Sequence, residues 1–297
     1  MGLLRSNNKF MEGNNRTEYW VTRHSKSGKD VESSPGLSEQ GVEMARERAK
    51  TIVELIENSQ KGSVILYGGV TSEPRTRSTT ELYTDESEKI LKERGGTARF
   101  IKKEDIKEQA NQSGYLKTAN EIASQINAVP EEKVVIELPL FLKEFSMEKY
   151  LYEDDGETVK PEWQKLLDKH GKNYTAAIED WFSNPELSKT IDPEEMARGC
   201  MKAMQRLESF SKKFFPDRPV KIGFVGHSFL IDALLTYIAN DGKVSADGFK
   251  KIGGDVVKET ELATIEFDGN GGLHLRYRDK DFLSALPDRQ EIPEVEK

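Results

Sequence analysis

Short apolar runs of strand length alternate along this chain with longer segments of helical period. That order commits a chain to a mainly parallel sheet, because consecutive parallel strands need a crossover connection, usually a helix. Thr17–Thr22 (TEYWVT) carries aromatic and β-branched residues at strand density. Ser38 then caps a segment in which Val42, Ala45, Ala49, Ile52, Val53 and Ile56 keep the helical period. Ser63–Tyr67 (SVILY) predicts a second buried strand, closed by Gly68-Gly69, and a helix follows from Pro74 into the low 90s. Val134–Leu138 (VVIEL) predicts a third strand. Asp192-Pro193-Glu194-Glu195 is a helix start, with Asp at the cap and Pro at the first helical position. Met196, Cys200, Met204, Leu207, Phe210 and Phe214 form the buried stripe of that helix, which stops before Pro216. Val220–Val225 (VKIGFV) is a fourth strand and Phe229–Ile238 an apolar helix. Leu262–Phe267 and Leu273–Tyr277 flank the Gly-rich Asp268–Gly272 and predict a hairpin. The expected fold is a three-layer α/β/α sandwich with a mainly parallel central sheet.

Charge and cysteine usage narrow the function classes. A net charge of −8 speaks against a general nucleic-acid binder, although a local cation cluster could still bind an anionic small molecule. The single cysteine, Cys200, forms no intrachain disulfide, which fits a reducing, cytoplasmic setting. One Cys and four scattered His show no zinc spacing. No apolar run reaches membrane-spanning length, so no membrane partner is expected. Met1–Ser6 fits a loose myristoylation pattern, for which an ordinary N-terminus is the plainer reading. Residues 1–16 read as a flexible polar arm, 17–285 as the folded domain and 286–297 as a tail. Nothing in the sequence decides between a monomer and a homo-oligomer.

In sheets of this kind ligands bind outside the carboxyl ends of the strands. The first predicted strand ends in Arg23-His24, and the second leads through Gly68-Gly69-Val70 into Thr71–Arg77. The fourth ends in Gly226-His227-Ser228 and feeds a helix. Two His and at least one Arg therefore converge on one sheet edge. Guanidinium forks match phosphate oxygens, an imidazole held in one tautomer is a nucleophile, and a helix N-terminus adds N–H donors.

With these residues in place, the sequence resembles the histidine phosphatase superfamily, the phosphoglycerate-mutase-like fold. Arg23-His24 (VTRHSKS) matches its Arg-His after the first strand, and Leu37-Ser38-Glu39-Gln40-Gly41 its Leu-Ser/Thr-x-x-Gly helix start. Its Ser-x-x-x-Arg-x-x-x-Thr helix is matched approximately by Thr71 or Ser72, Arg75 and Thr79. Leu142-Lys143-Glu144 matches its acid motif, and GFVGHSFLIDALL, with His227, its late strand-His-helix. The five occur in order over residues 17–240. Two positions depart: Ser25 and Ser228 stand where the family usually, or often, has Gly. Their hydroxyls could narrow the pocket.

The resemblance implies catalytic roles for Arg23, His24, Arg75, Glu144 and His227. His24 would attack phosphorus and become a phosphohistidine, with Arg23, Arg75 and His227 on the phosphoryl oxygens and Ser228 beside them. Glu144 would protonate the leaving oxygen and then activate water. It implies no metal and no cofactor. Arg77 competes with Arg75, but two residues along a helix point to different faces, and the spacing to Thr79 favours Arg75. Glu137, Glu148 and the run Glu153-Asp154-Asp155 compete with Glu144, whose Leu-x-Glu context after a strand favours it. His170 and His274 read as structural, and Lys26 and Lys29 as solvated loop residues.

Beyond the family core, about 95–133 and 146–190 are extra and are expected to be helical insertions forming a cap. The second is rich in aromatics, among them Tyr150, Tyr152, Trp163, Tyr174, Trp181 and Phe182. It reads equally as a substrate-selecting lid and as an ordinary packed subdomain. Acidic residues at 153–157 in a lid would disfavour polyanions. The expected function is hydrolysis of a phosphomonoester of a small metabolite. A phosphoglycerate-type mutase is the alternative, disfavoured because Ser25–Asp30 lacks the mutase segment Glu-Ser/Thr-x-x-Asn. A silent phosphate- or protein-binding member of the fold is the second alternative.

Overall fold

The computed structural model describes residues 17–284 except 30, 70–72, 139–144, 146–147, 154–157, 172 and 268–271, with the side chains of 148 and 149 also outside the description. The N-terminal arm, the C-terminal tail, Glu144, the acidic run from Asp154 and most of the Gly-rich hairpin loop therefore lie outside the described residues.

Among the described residues, eight strands form one sheet in the order β3-β4-β2-β5-β1-β6-β7-β8. β1 (Thr17–Arg23), β2 (Val64–Gly69), β3 (Arg99–Ile101), β4 (Val134–Glu137) and β5 (Val220–Gly226) are mutually parallel. β6 (Leu262–Phe267), β7 (Leu273–Tyr277) and β8 (Lys280–Ser284) close the other side antiparallel, so the sheet is mixed. β1, β2 and β5 are apolar on both faces, as strands covered by helices on both sides must be.

α1 (Glu39–Asn58) and α2 (Pro74–Glu93) cover one face, where Trp20, Ile52, Val53, Ile56, Ile65 and Tyr83 pack together. The other face carries the larger core, centred on α9 (Pro193–Phe214) and α10 (Ser228–Ala239). Asp192 caps α9 through the Glu194 N–H at 2.8 Å, with Pro193 at the first turn. α10 is buried along nearly its whole length, which explains why its sequence is apolar all round.

The extra segments behave differently from each other. The first is not purely helical. Arg99–Ile101 adds β3 as an edge strand beside β4, and the helical stretch breaks at Gly114, φ +85°, into α3 (Lys103–Ser113) and α4 (Tyr115–Asn127). Ile106, Ile122 and Ile126 join the main core. The second holds α5 (Glu148–Leu151), α6 (Pro161–His170), α7 (Tyr174–Ser183) and α8 (Pro185–Thr190). Trp163 and Trp181 pack on Phe229, at 4.9 and 5.8 Å between ring centroids, and their indole N–H groups donate to Tyr150 O and Ile191 O. Tyr150, Trp163, Trp181 and Phe182 are thus core residues of the insertion, while Tyr174 remains exposed. α11 (Ala246–Lys251) precedes the loop that leads into β6.

Candidate active site

Strand register builds the centre of the site. β1 and β5 are parallel neighbours with Arg23 opposite Gly226, so His24 and His227 are the next residues of two adjacent strands. Neighbouring strands lie about 4.8 Å apart, which fits the 5.1 Å between the two imidazole centroids. The His24 N–H donates to Gly226 O at 2.9 Å, extending the ladder by one bond. β2 lies on the other side of β5, with Gly69 level with Val225. α2 starts close behind it and brings Arg75 to the same edge. α10 opens directly after His227, with buried Ser228 as its first residue.

The loop after His24 is fixed by the residues of the Leu-Ser-x-x-Gly match. Leu37 is fully buried, and the Ser38 hydroxyl caps α1 by accepting from Gly41 N at 3.1 Å. A Cβ on Gly41 would lie 2.1 Å from Lys26 O, so only glycine allows this approach. The Ser25 hydroxyl is committed to the backbone, donating to Gly41 O at 2.6 Å, and its N–H donates to Thr79 Oγ1 at 3.0 Å. Thr79 in turn donates to Arg75 O at 2.7 Å, tying the His24 loop to the helix that carries Arg75.

His24 is held in one tautomer. Its Nδ1 lies 2.7 Å from Ser25 O, and a carbonyl can only accept, so Nδ1 carries the hydrogen and Nε2 carries the lone pair. Burial, followed by the Arg75 charge, pushes the His24 pKa down to about 3. Burial also holds His227 well below its ordinary value, aided by His24 and Arg75. Both rings are neutral near pH 7.

Arg23 is buried and anchored, with Nη1 donating to Val257 O at 2.6 Å and Nη2 lying 3.4 Å from Glu259. Arg75 is half-buried and pairs with Glu73 at 2.7 Å, while Arg77 is exposed. Among the described residues, Arg23 Nε, Arg75 Nε and His227 Nε2 are buried without a hydrogen-bond partner. Buried polar atoms left unpaired in this way carry a desolvation cost that a bound hydrogen-bonding partner would remove.

Four residues enter that the sequence reading did not single out: Glu73, Asp232, Val257 and Glu259. Asp232 is fully buried, and its Oδ1 accepts from Val257 N at 3.0 Å, so it pins the peptide that holds Arg23. Burial raises its carboxyl well above the usual carboxylate range. A lone acid in the apolar run SFLIDALL was the signal for it. Among the competitors for the acid role, Glu137 is paired at 3.2 Å with buried Lys103, and Glu153 is exposed. Glu144 itself lies outside the described residues, but the next residue, Phe145, packs on Phe224 of β5 at 4.6 Å. His170 pairs with Asp180 and His274 with Asp281, both on other parts of the chain. Lys26 reaches Gln40 rather than the site. The second insertion borders the site, with Thr175 bonded to Asp255 at 2.6 Å and Tyr174 edge-on to Phe229.

Among the described residues, no group of His, Cys, Asp and Glu converges as a metal site, and no helix is long and apolar enough to cross a membrane. No family model and no curated protein sequence matches the chain. Solved structures do. A mycobacterial hydrolase shares 14% identity at a TM-score of 0.43, covering 84% of this chain and 82% of that one. A mycobacterial glucosyl-3-phosphoglycerate phosphatase shares 14% at 0.42, covering 84% and 90%. A phosphoglycerate mutase from Plasmodium falciparum shares 11% at 0.31, covering 90% and 97%. With its five ordered motifs, the chain resembles the histidine phosphatase superfamily. What the site can do follows from its own residues.

Proposed function

We propose that this protein is a metal-independent phosphatase that hydrolyses a phosphomonoester of a small metabolite through a phosphohistidine at His24. The observation that carries the proposal is the state of His24: neutral, with Nδ1–H committed to Ser25 O and the Nε2 lone pair free, beside Arg23, Arg75 and His227. A lone pair on a fixed ring is a nucleophile, and the flanking cations match the charge that spreads over the phosphoryl oxygens in the transition state.

In the first step the Nε2 lone pair attacks phosphorus in line. The bond from phosphorus to the ester oxygen breaks, and that oxygen takes a proton from Glu144. In the second step water gives its proton to Glu144 and its oxygen to phosphorus, and the bond to Nε2 breaks. Arg23, Arg75, His227 and the α10 N-terminus at Ser228 hold the oxygens throughout. Glu144 has this role from its Leu-x-Glu motif, and the pairing of Glu137 with Lys103 supports that choice. The second insertion, standing beside Phe229 and the Asp255–Val257 loop, is the element we assign to substrate selection.

The test is hydrolysis of an aryl phosphate and of a panel of phosphorylated metabolites, with EDTA present, by the native protein and His24→Ala. Turnover that survives EDTA and falls at least about a thousand-fold in the variant is expected, as for loss of a catalytic nucleophile. Full activity in His24→Ala, or activity abolished by EDTA, would contradict the proposal. Silence across the whole panel would favour a phosphate-binding module.

A further inference from the structure

A helix N-cap residue ordinarily uses its side-chain oxygen on the free N–H groups of the first turn. Ser38, Asn173, Asp192 and Ser245 do this at the starts of α1, α7, α9 and α11. Glu73 occupies the N-cap of α2, and its side chain makes no such bond. Its carboxylate turns into the site instead, with Oε2 2.7 Å from Arg75 Nη2 and Oε1 3.5 Å from His227 Nε2. One oxygen of the carboxylate thus pairs with Arg75 and the other stands beside His227, two groups that the phosphatase reading assigns to the phosphoryl oxygens. Carboxylate and phosphate present paired oxygens of similar spacing, which is why the same guanidinium fork takes either.

We propose that Glu73 is an internal anion standing in the phosphate seat, which an incoming phosphoryl group must displace and which thereby sets the affinity for substrate and for product phosphate. The inference rests on the phosphatase reading and deepens it. Glu73 is suited to leave: its side chain is 29% exposed, at the rim of the site. Of the two groups it faces, His227 is buried, whereas the Arg75 side chain, 35% exposed, opens to the same rim from which a ligand would enter. Displacing a resident carboxylate weakens ester and product phosphate alike, because both offer the same oxygens to the same donors. Such uniform weakening raises KM and speeds product release without touching the attack on phosphorus. Between turnovers the carboxylate also gives the Arg75 guanidinium an anionic partner.

The test is calorimetric titration of the full chain with inorganic phosphate and with orthovanadate, for the native protein, Glu73→Gln, Glu73→Ala and Arg75→Ala. Thermal melts confirm that each variant is folded. Both Glu73 variants are expected to bind the two anions about ten-fold more tightly than the native protein, and Arg75→Ala more weakly. Unchanged or weaker binding in both Glu73 variants would overturn the inference and leave Glu73 as a residue that merely orients Arg75. If no variant binds either anion and Arg75→Ala matches the native protein, the phosphate seat itself is refuted, and the inference with it.

Discussion

Two clusters of charge lie along the same sheet. One gathers Lys103 at the start of α3, Glu137 at the end of β4, and Glu81 and Thr84 on α2. The other gathers Arg23, His24, Arg75 and His227. In the first, Lys103 is enclosed between two carboxylates, and Glu137, only 3% exposed, also accepts from Thr84 at 3.2 Å. Burial raises the Glu137 pKa while the Lys103 charge opposes it, and the Lys103 pKa is raised by its carboxylates against its own burial. That cluster pairs each of its charges with an opposite one, although Glu137 Oε1 makes no hydrogen bond among the described residues. In the second, Arg23 and the two neutral imidazoles are deep, Arg75, Glu73 and Glu259 are partly exposed at the rim, and among the described residues Arg23 Nε, Arg75 Nε and His227 Nε2 have no hydrogen-bond partner. A cluster in which buried charges neutralise one another holds the fold together, whereas one with an excess of buried cationic and neutral nitrogen groups can take an anionic ligand.

Arg75→Ala should break the open cluster most visibly. We expect kcat/KM for phosphate esters to fall about a thousand-fold, the scale of losing a preorganised charge partner in a water-poor site, with the melting temperature nearly unchanged. Arg77→Ala, at an exposed position two residues on, should stay within about two-fold. Steady-state kinetics of both variants checks this, and equal losses would erase the distinction between the two arginines.

The closed cluster should respond the other way. Lys103→Met leaves Glu137 buried without its cation and should destabilise the protein by about 3 kcal/mol in urea titrations. Activity of the folded fraction should be unaffected. The double variant Lys103→Met/Glu137→Leu should recover most of that loss, because an apolar pair of similar volume needs no compensation. A catalytic defect in the single variant would mean that the two clusters are coupled.

A smaller effect sharpens the picture of the neutral histidines. His24 titrates at about 3 when folded and near 6.5 when unfolded, so between those values the unfolded chain binds the extra proton. Stability from this source is complete above about pH 6.5 and is lost as the pH falls through that window. Each such histidine contributes a slope of about 1.4 kcal/mol per pH unit. His24→Asn should flatten the urea-derived stability profile between about pH 4 and 6 by that amount. An unchanged profile would show that His24 is not held neutral.

Much of this was legible in the sequence because strand ends and helix starts carry local signals. Arg23-His24 and Gly226-His227 follow runs that can only be strands, and parallel pairing then forces the two histidines together. Helical periodicity set Arg75 and Arg77 on different faces and the motif spacing to Thr79 favoured Arg75, while Gly41 marks the close backbone approach that fixes the His24 loop. β3 was missed because three residues are too few to show an alternation. The break at Gly114 was missed because a single glycine is also tolerated inside helices. Glu73 was invisible because its role depends on the direction of one flexible side chain, which no spacing rule encodes. Val257 acts through its backbone, so its identity carries no trace of the contact with Arg23.

The central claim is that the free Nε2 of His24 takes the phosphoryl group. Rapid acid-free quenching of the native protein during turnover, followed by mass spectrometry of its peptides under neutral conditions, tests it most directly. A phosphoryl group on the peptide carrying His24, acid-labile and absent in His24→Ala, is the expected result. A phosphoryl group on any other residue, or steady turnover with His24 never modified, would contradict the account.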